Sequence, residues 1–202
     1  MKLFHAPASP FVRKVMVLLH EAGTTDRVTL VPASGTPLNP GTLPVDRNPL
    51  GKIPALERPD GPTLYDSRVI TRYLDDLLHA GLYPAAPRLW DTLVIEATAD
   101  GIAEAAVLMR YEMHVRPEAS RSPAWVEAQW GKIARALAAL EERWMSHLSG
   151  PPDMGQIAVA CALGYLDFRH ADRTWRAEHP ALAAWHAAFD ARPALQATAP
   201  TA

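Results

Sequence analysis

The chain has 202 residues, with 20 Lys+Arg against 22 Asp+Glu, a formal net charge of −2 and an apolar fraction of 49%, the composition of an ordinary folded soluble protein of one large or two small domains. Residues 1–80 carry nine basic and eight acidic side chains and the rest eleven and fourteen, so neither half offers the basic surface a nucleic-acid partner needs. The single cysteine, Cys161, excludes an internal disulfide, a CxxC redox pair and a multi-cysteine zinc site.

In chain order, Lys2-Leu3-Phe4-His5 reads as a strand. A helix comes next from Pro10 to Ala22, with Phe11, Val15 and Leu18 on one stripe and Gly23 closing it. Val28–Val31 is a second strand. Ala55-Leu56-Glu57 and Thr63-Leu64-Tyr65 flank the turn signature Pro59-Asp60-Gly61 and read as a hairpin, giving a mixed four-stranded sheet. A helix over residues 66–79 completes a β-α-β, loop, β-β-α order, which is an α/β arrangement. Residues 80–86 are the expected linker. From Pro87 to the end at residue 202 helical periodicity takes over, with Leu89, Leu93, Ala97, Val126, Trp130, Ile133, Leu137, Leu140 and Trp144 at intervals of three and four. Ile157–Leu166 is apolar on nearly all sides and is the expected buried central helix, capped by Asp153 with Gln156. The stretch 154–166 is shorter than the ~20 residues of a membrane span. The N-terminus breaks at Ala6-Pro7-Ala8-Ser9-Pro10 and then meets Arg13-Lys14, which is no signal peptide, so a cytoplasmic protein is expected.

Three segments of the first half carry candidate chemistry. Ser9-Pro10 is a preferred helix start, and a cap alone explains it. The alternative is functional: a thiolate held above the first turn, accepting a hydrogen bond from Ser9, would be stabilised by unpaired N–H groups and the positive helix end. In Asn48–Leu56, Pro54 stands at the entry to a strand; a cis bond there would turn the Ile53 backbone outward to pair with an extended ligand, with Lys52 beside it for a carboxylate. The plainer alternative is an edge-strand proline and a solvated lysine. Asp66-Ser67 opens a helix directly after a strand. One of the two caps it, and the functional alternative has Ser67 holding a carboxylate while Asp66 meets an ammonium. The eight histidines show no metal-binding spacing, and the six tryptophans are expected to fill core.

Taken together in this order, Ser9-Pro10-Phe11-Val12-Arg13-Lys14-Val15, Asn48 to Leu56, Asp66-Ser67 and Ile157–Leu163 resemble the glutathione S-transferase family over essentially the whole chain, most nearly its small bacterial members with serine at the active position. The resemblance implies a thioredoxin-like domain over 1–79, a linker over 80–86, an all-helical domain over 87–202, a homodimer, and reduced glutathione as the bound thiol. From the histidine spacing and the single cysteine, no metal is expected. The resemblance assigns Ser9 to the glutathione sulfur, and Lys52, Ile53, cis-Pro54, Asp66 and Ser67 to the tripeptide. Asp100 matches an acidic residue that reaches the partner's glutathione, with an ordinary buried or surface carboxylate as the alternative. By position, Phe11, Met109, Arg110, Tyr111 and His114 would line the pocket for an electrophile, or else pack the helix pair. The implied activity is conjugation of glutathione to small apolar electrophiles, with a non-catalytic interaction module, or a glutathione-dependent isomerase or peroxidase, as the alternatives. The chain departs from many relatives in having no Lys, Arg or His between Pro32 and Asp46 to clamp the glycyl carboxylate. Serine at position 9 speaks against thiol-disulfide chemistry, which needs a cysteine there.

Overall fold

Strand β1 (Lys2–His5) lies between β2 (Thr29–Pro32), parallel to it, and β3 (Ala55–Glu57), antiparallel to it. The computed structural model describes residues 1–201, which fall into two compact units, Met1–Tyr83 with residues 194–201, and Pro84–Pro193. The sheet has three strands rather than the four expected. Thr63-Leu64-Tyr65 contributes only one bridge, in which Leu64 exchanges both hydrogen bonds with Leu56 at 2.9 Å. The local chemistry limits it: Pro62 cannot donate to a ladder, and by Asp66 the chain is already capping the next helix.

Helices α1 (Pro10–Glu21) and α2 (Ser67–Leu78) complete this unit and pack on each other. Val12, Val15, Leu18 and Leu19 of α1 and Ile70 and Leu74 of α2 are buried with Leu3 and Leu56 of the sheet. Each such side chain withdrawn from water contributes roughly 1.5–3 kcal/mol against the entropy of ordering it. The C-cap of α2, His79, takes the left-handed conformation at φ 52°, and its N–H donates to Asp75 and Asp76 carbonyls. The buried Arg13 donates through Nη2 to the Leu195 carbonyl at 3.1 Å, which ties the C-terminal residues to the first helix.

The second unit is helical: α3 (Arg88–His114), α4 (Pro123–Arg143), α5 (Met145–Leu148), α6 (Met154–Arg169), α7 (Trp175–Glu178) and α8 (Pro180–Asp190). The central helix is α6, buried from Met154 to Leu163 without a break, as its all-round apolar sequence requires. It packs chiefly on α3. Gly155 permits that approach, since a Cβ there would stand 3.0 Å from the Thr92 carbonyl oxygen and 3.1 Å from Ile95 Cβ. The buried stripe of α3 runs through Thr92, Ile95, Ala99, Ile102, Ala106 and Met109, not through Leu89, Leu93 and Ala97 as expected, because α6 takes up the other phase of the helix. The tryptophans also depart from expectation: Trp175 is buried, but Trp90 and Trp125 are 62% and 47% exposed. Cys161 is buried on α6. No described helix is long and apolar enough to cross a membrane. Among the described residues no group of three or more His, Cys, Asp or Glu side chains could hold a metal ion.

Two histidines stitch the helical unit together. His170 Nε2 lies 3.0 Å from the Ala106 carbonyl and His186 Nε2 3.2 Å from that of Ala160, so both nitrogens carry hydrogen and donate. His186 Nδ1 accepts from Arg176 Nη2 at 2.8 Å, which fixes that ring as neutral. Burial holds both groups below the ordinary histidine value. An unfolded histidine takes up its proton near pH 6.5, whereas these take it up only at lower pH. Their contribution to stability is therefore complete above about pH 6.5 and is lost as the pH falls from there through the folded values. Urea midpoints should drop between about pH 7 and about pH 5, with the drop smaller in His186→Gln. Equal midpoints for the wild type across that range would contradict this.

Candidate functional site

Strand register brings the three candidate segments to one end of the sheet. Ala55 pairs with Phe4, so the next step along puts Pro54 opposite His5, where β1 ends and the loop to Ser9 begins. The Leu56–Leu64 bridge runs antiparallel, so Asp66 falls level with Pro54 on the far side of β3. Both α1 and α2 start at this end and aim the positive ends of their dipoles toward it.

Ser9 is the N-cap of α1 at φ −83°, ψ 121°, and its Oγ accepts from the Val12 N–H at 3.3 Å. Because the oxygen is the acceptor in that bond, the hydroxyl proton is left to donate elsewhere. Pro10 has no N–H, and the Phe11 N–H has no partner among the described residues. Burial lowers the pKa of the nearby His5, which favours its neutral form.

The Ile53–Pro54 bond is cis, as anticipated. Neither the N–H nor the C=O of Ile53 makes a hydrogen bond among the described residues, so a strand-like ligand would find both open. Sequence reasoning missed the residue that holds this segment in place. Asn48, buried, donates through Nδ2 to the Lys52 carbonyl at 2.8 Å, accepts from the Leu50 N–H at 3.0 Å, donates its own N–H to the Pro44 carbonyl, and accepts at its carbonyl from Gly51. An Asn before Pro signals a turn, yet nothing in the sequence says that its amide reaches four residues ahead. Lys52 is exposed and has no ion-pair partner among the described residues, whereas Arg47 is engaged by Asp46 at 2.7 Å.

At the start of α2 it is Asp66 that caps, accepting from the Arg68 N–H at 3.0 Å, with Arg68 Nη2 3.4 Å from its other oxygen. The Tyr65–Asp66 bond is cis. Ser67 is buried in the first turn, and its carbonyl accepts from the Thr71 hydroxyl at 2.9 Å. Asp100 lies on α3 in the other unit, buried, one turn from the equally buried Glu96.

The chain matches the family model described as the glutathione S-transferase N-terminal domain over residues 8–77, and that of the C-terminal domain over 123–188. The chain belongs to the glutathione S-transferase family. A crystal structure of a glutathione transferase family member from Pseudomonas fluorescens Pf-5, with bound glutathione, is 49% identical to it, with a TM-score of 0.96 over 100% of this chain and 99% of that one. A second from the same organism, with bound S-(propanoic acid)-glutathione, is 46% identical, with a TM-score of 0.90 over 100% of each. An uncharacterised GST-like protein, YibF, of Escherichia coli K12 is 34% identical over 90% of each chain. Within this transferase-family chain, the matched N-terminal region contains Ser9, Lys52, Ile53, Pro54, Asp66 and Ser67.

Of the residues assigned to an electrophile, the structure brings three together. Met109, Arg110 and His114 line a cavity of about 320 Å³ in the helical unit, joined by Met113, Val126 and Arg169 among others. Tyr111 lies outside that lining, half-buried, and burial raises its pKa. Phe11 is half-buried on α1 of the first unit. His114 has its pKa lowered, first by burial and then by the charges of Arg110, Arg121 and Arg169. The arginine and histidine at 169 and 170 come from the end of α6, which no local pattern links to α3.

Proposed function

We propose that this chain is a cytoplasmic, homodimeric glutathione transferase that binds reduced glutathione at the sheet end where α1 and α2 begin and conjugates it to small apolar electrophiles. The observation that carries this is the open Ile53 backbone beside cis-Pro54, on the same end as the Ser9 cap. The Ile53 N–H and C=O pair with the cysteinyl unit as an added strand would. Asp66 meets the γ-glutamyl ammonium, Ser67 and the first turn of α2 meet its carboxylate, and Lys52 meets the glycyl carboxylate, since residues 33–45 supply no cation. Asp100 reaches the glutathione of the partner subunit. The Ser9 hydroxyl donates to the sulfur, with the Phe11 N–H and the dipole of α1 adding to the stabilisation of the thiolate. The thiolate then forms a carbon–sulfur bond, and either a leaving group departs with its electron pair or, in addition, the neighbouring carbon takes up a proton. Phe11, Met109, Arg110, Tyr111 and His114 are assigned to the electrophile.

Support for sulfur substitution comes from the relative that holds S-(propanoic acid)-glutathione, a thioether of the tripeptide. Exposed apolar side chains one turn apart on α3, Trp90 and Val94, support a second copy as partner. A promiscuous detoxifying role fits a site whose rate advantage rests on thiol ionisation and proximity.

Calorimetric titration with reduced glutathione tests the reading. Wild type should bind, and Lys52→Ala should bind about three- to tenfold more weakly, a loss of roughly 0.7–1.4 kcal/mol, with kcat almost unchanged because the glycyl end is remote from the sulfur. No heat of binding in the wild type would favour the rival, a non-catalytic interaction module, for which the missing cation in residues 33–45 speaks. Glutathione-dependent isomerase or peroxidase activity on the same site is separated by a substrate panel.

A further inference from the structure

The cavity of the helical unit is electropositive in a way its neighbourhood does not require. Its wall carries three arginines against two carboxylates, Glu127 and Asp172. Glu127 is fully committed: its two oxygens take Arg173 Nη1 and Nη2 at 3.0 and 2.6 Å, a bidentate pair. Arg110 and Arg169 form no ion pair among the described residues, although both are half-buried and Asp172 lines the same cavity. The Arg169 guanidinium is held over the Phe168 ring at 3.9 Å, which limits its freedom and leaves its N–H edge open. Beside these charged groups and His114 and His170, the wall also carries apolar side chains, Met109 and Val126 buried and Met113 exposed. The pKa of His114 on the same wall is lowered first by burial and then by the charges of Arg110, Arg121 and Arg169.

Arg110 and Arg169 line one cavity and neither is engaged in an ion pair among the described residues, so an anion there would gain charge-assisted hydrogen bonds from both. The apolar part of that wall gives a hydrocarbon-bearing acid a contact that a free inorganic anion cannot make. We propose that this cavity binds a small organic acid, its carboxylate held by Arg110 and Arg169 and its apolar stem by Met109, Met113 and Val126. The volume of about 320 Å³ suits a single aromatic ring with a short acidic chain. This deepens the electrophile assignment above and rests on it for any part in conjugation, which would then favour acidic electrophiles over neutral ones; the binding itself does not need glutathione.

The test is calorimetric titration of the full chain, near neutral pH and without glutathione, with 4-phenylbutyrate and with its neutral counterpart 4-phenylbutanamide. The acid should bind about tenfold more tightly than the amide, ~1.4 kcal/mol, and the preference should vanish in Arg110→Met/Arg169→Met while amide binding stays. Raising salt from about 50 to about 500 mM should weaken the acid and not the amide in the wild type, a readout that survives if the double variant fails to fold. Equal affinities for acid and amide, or a salt-independent preference, would overturn the proposal. A wild type that binds the acid but not glutathione would defeat the transferase reading and leave this one standing, and the reverse result would do the opposite.

Discussion

Replacing Asp153 by alanine is expected to lower the stability of the helical unit by about 3–5 kcal/mol, the range for stripping one partner from a buried charged network. Asp153 is 2% exposed and serves four donors: its Oδ1 accepts from the Gln156 N–H, closing the capping box of α6, while Oδ2 lies 3.1 Å from Arg88 Nη2, 3.0 Å from the Thr92 hydroxyl and 2.7 Å from His147 Nε2. The cap alone is worth about 1 kcal/mol. The remainder comes from removing the carboxylate that Arg88, Thr92 and His147 share beside a buried helix start, which leaves Thr92 only the Arg88 carbonyl and Arg88 only that of Pro151. Gln156 would lose its reciprocal role too, since its Oε1 accepts from the Asp153 N–H at 2.7 Å while its Nε2 holds the Leu148 and Gly150 carbonyls. Asp153→Asn keeps a capping oxygen and should cost markedly less, about 1–2 kcal/mol. Urea unfolding followed by circular dichroism measures both; a loss under about 0.5 kcal/mol in Asp153→Ala would mean that the network is ornamental.

Ser9→Ala is expected to lower kcat about ten- to thirtyfold near neutral pH while glutathione affinity changes less than about threefold. A thiol with a pKa of about 8.5 is a few per cent ionised at pH 7, and each unit by which a site lowers it is worth about 1.36 kcal/mol. The hydroxyl can supply that lowering because its oxygen is already used by the Val12 N–H and its proton is not. A purely structural serine would lose about 1 kcal/mol of stability on replacement and leave the pH profile alone. The discriminating measurement is therefore the pH dependence of the rate. The variant's deficit should close as the pH rises past the thiol's raised pKa, and the ultraviolet absorbance of the bound thiolate should shift to match. A deficit that is constant with pH would remove Ser9 from the chemistry.

The sequence is most legible where a single residue type answers a local need. Ser9 and Asp153 read as caps from the preferences of helix starts, and both cap. Pro54 reads as a cis candidate because a proline at a strand entry cannot serve the ladder, and Asp66-Ser67 as a cap pair whose capping member the structure identifies as Asp66. Features that depend on distant partners escape such reading. The fourth strand shrinks to a bridge because Leu64 alone fits between Pro62 and the Asp66 cap, a constraint imposed by the start of α2 rather than by strand propensity. His170 and His186 look like scattered polar residues, yet each donates to a helix carbonyl far away in sequence, at Ala106 and Ala160. Trp90 and Trp125 are expected inside with the other tryptophans at helical intervals and stand outside, since burial depends on which face of each helix meets its neighbours. The cavity wall likewise joins α3, α4 and the end of α6, and only tertiary packing makes those neighbours.

The way Asn48 knots residues 44–52 together bears on how tightly any guest is held. A flexible loop would have to surrender roughly 1–2 kcal/mol of backbone entropy for each residue it ordered around an arriving molecule. Here that surrender is made during folding, by one side-chain amide and two backbone groups, so the Ile53 edge waits in its receptive shape. For a small, polar tripeptide docking there as proposed, preorganisation of this kind would turn nearly all of its few contacts into affinity.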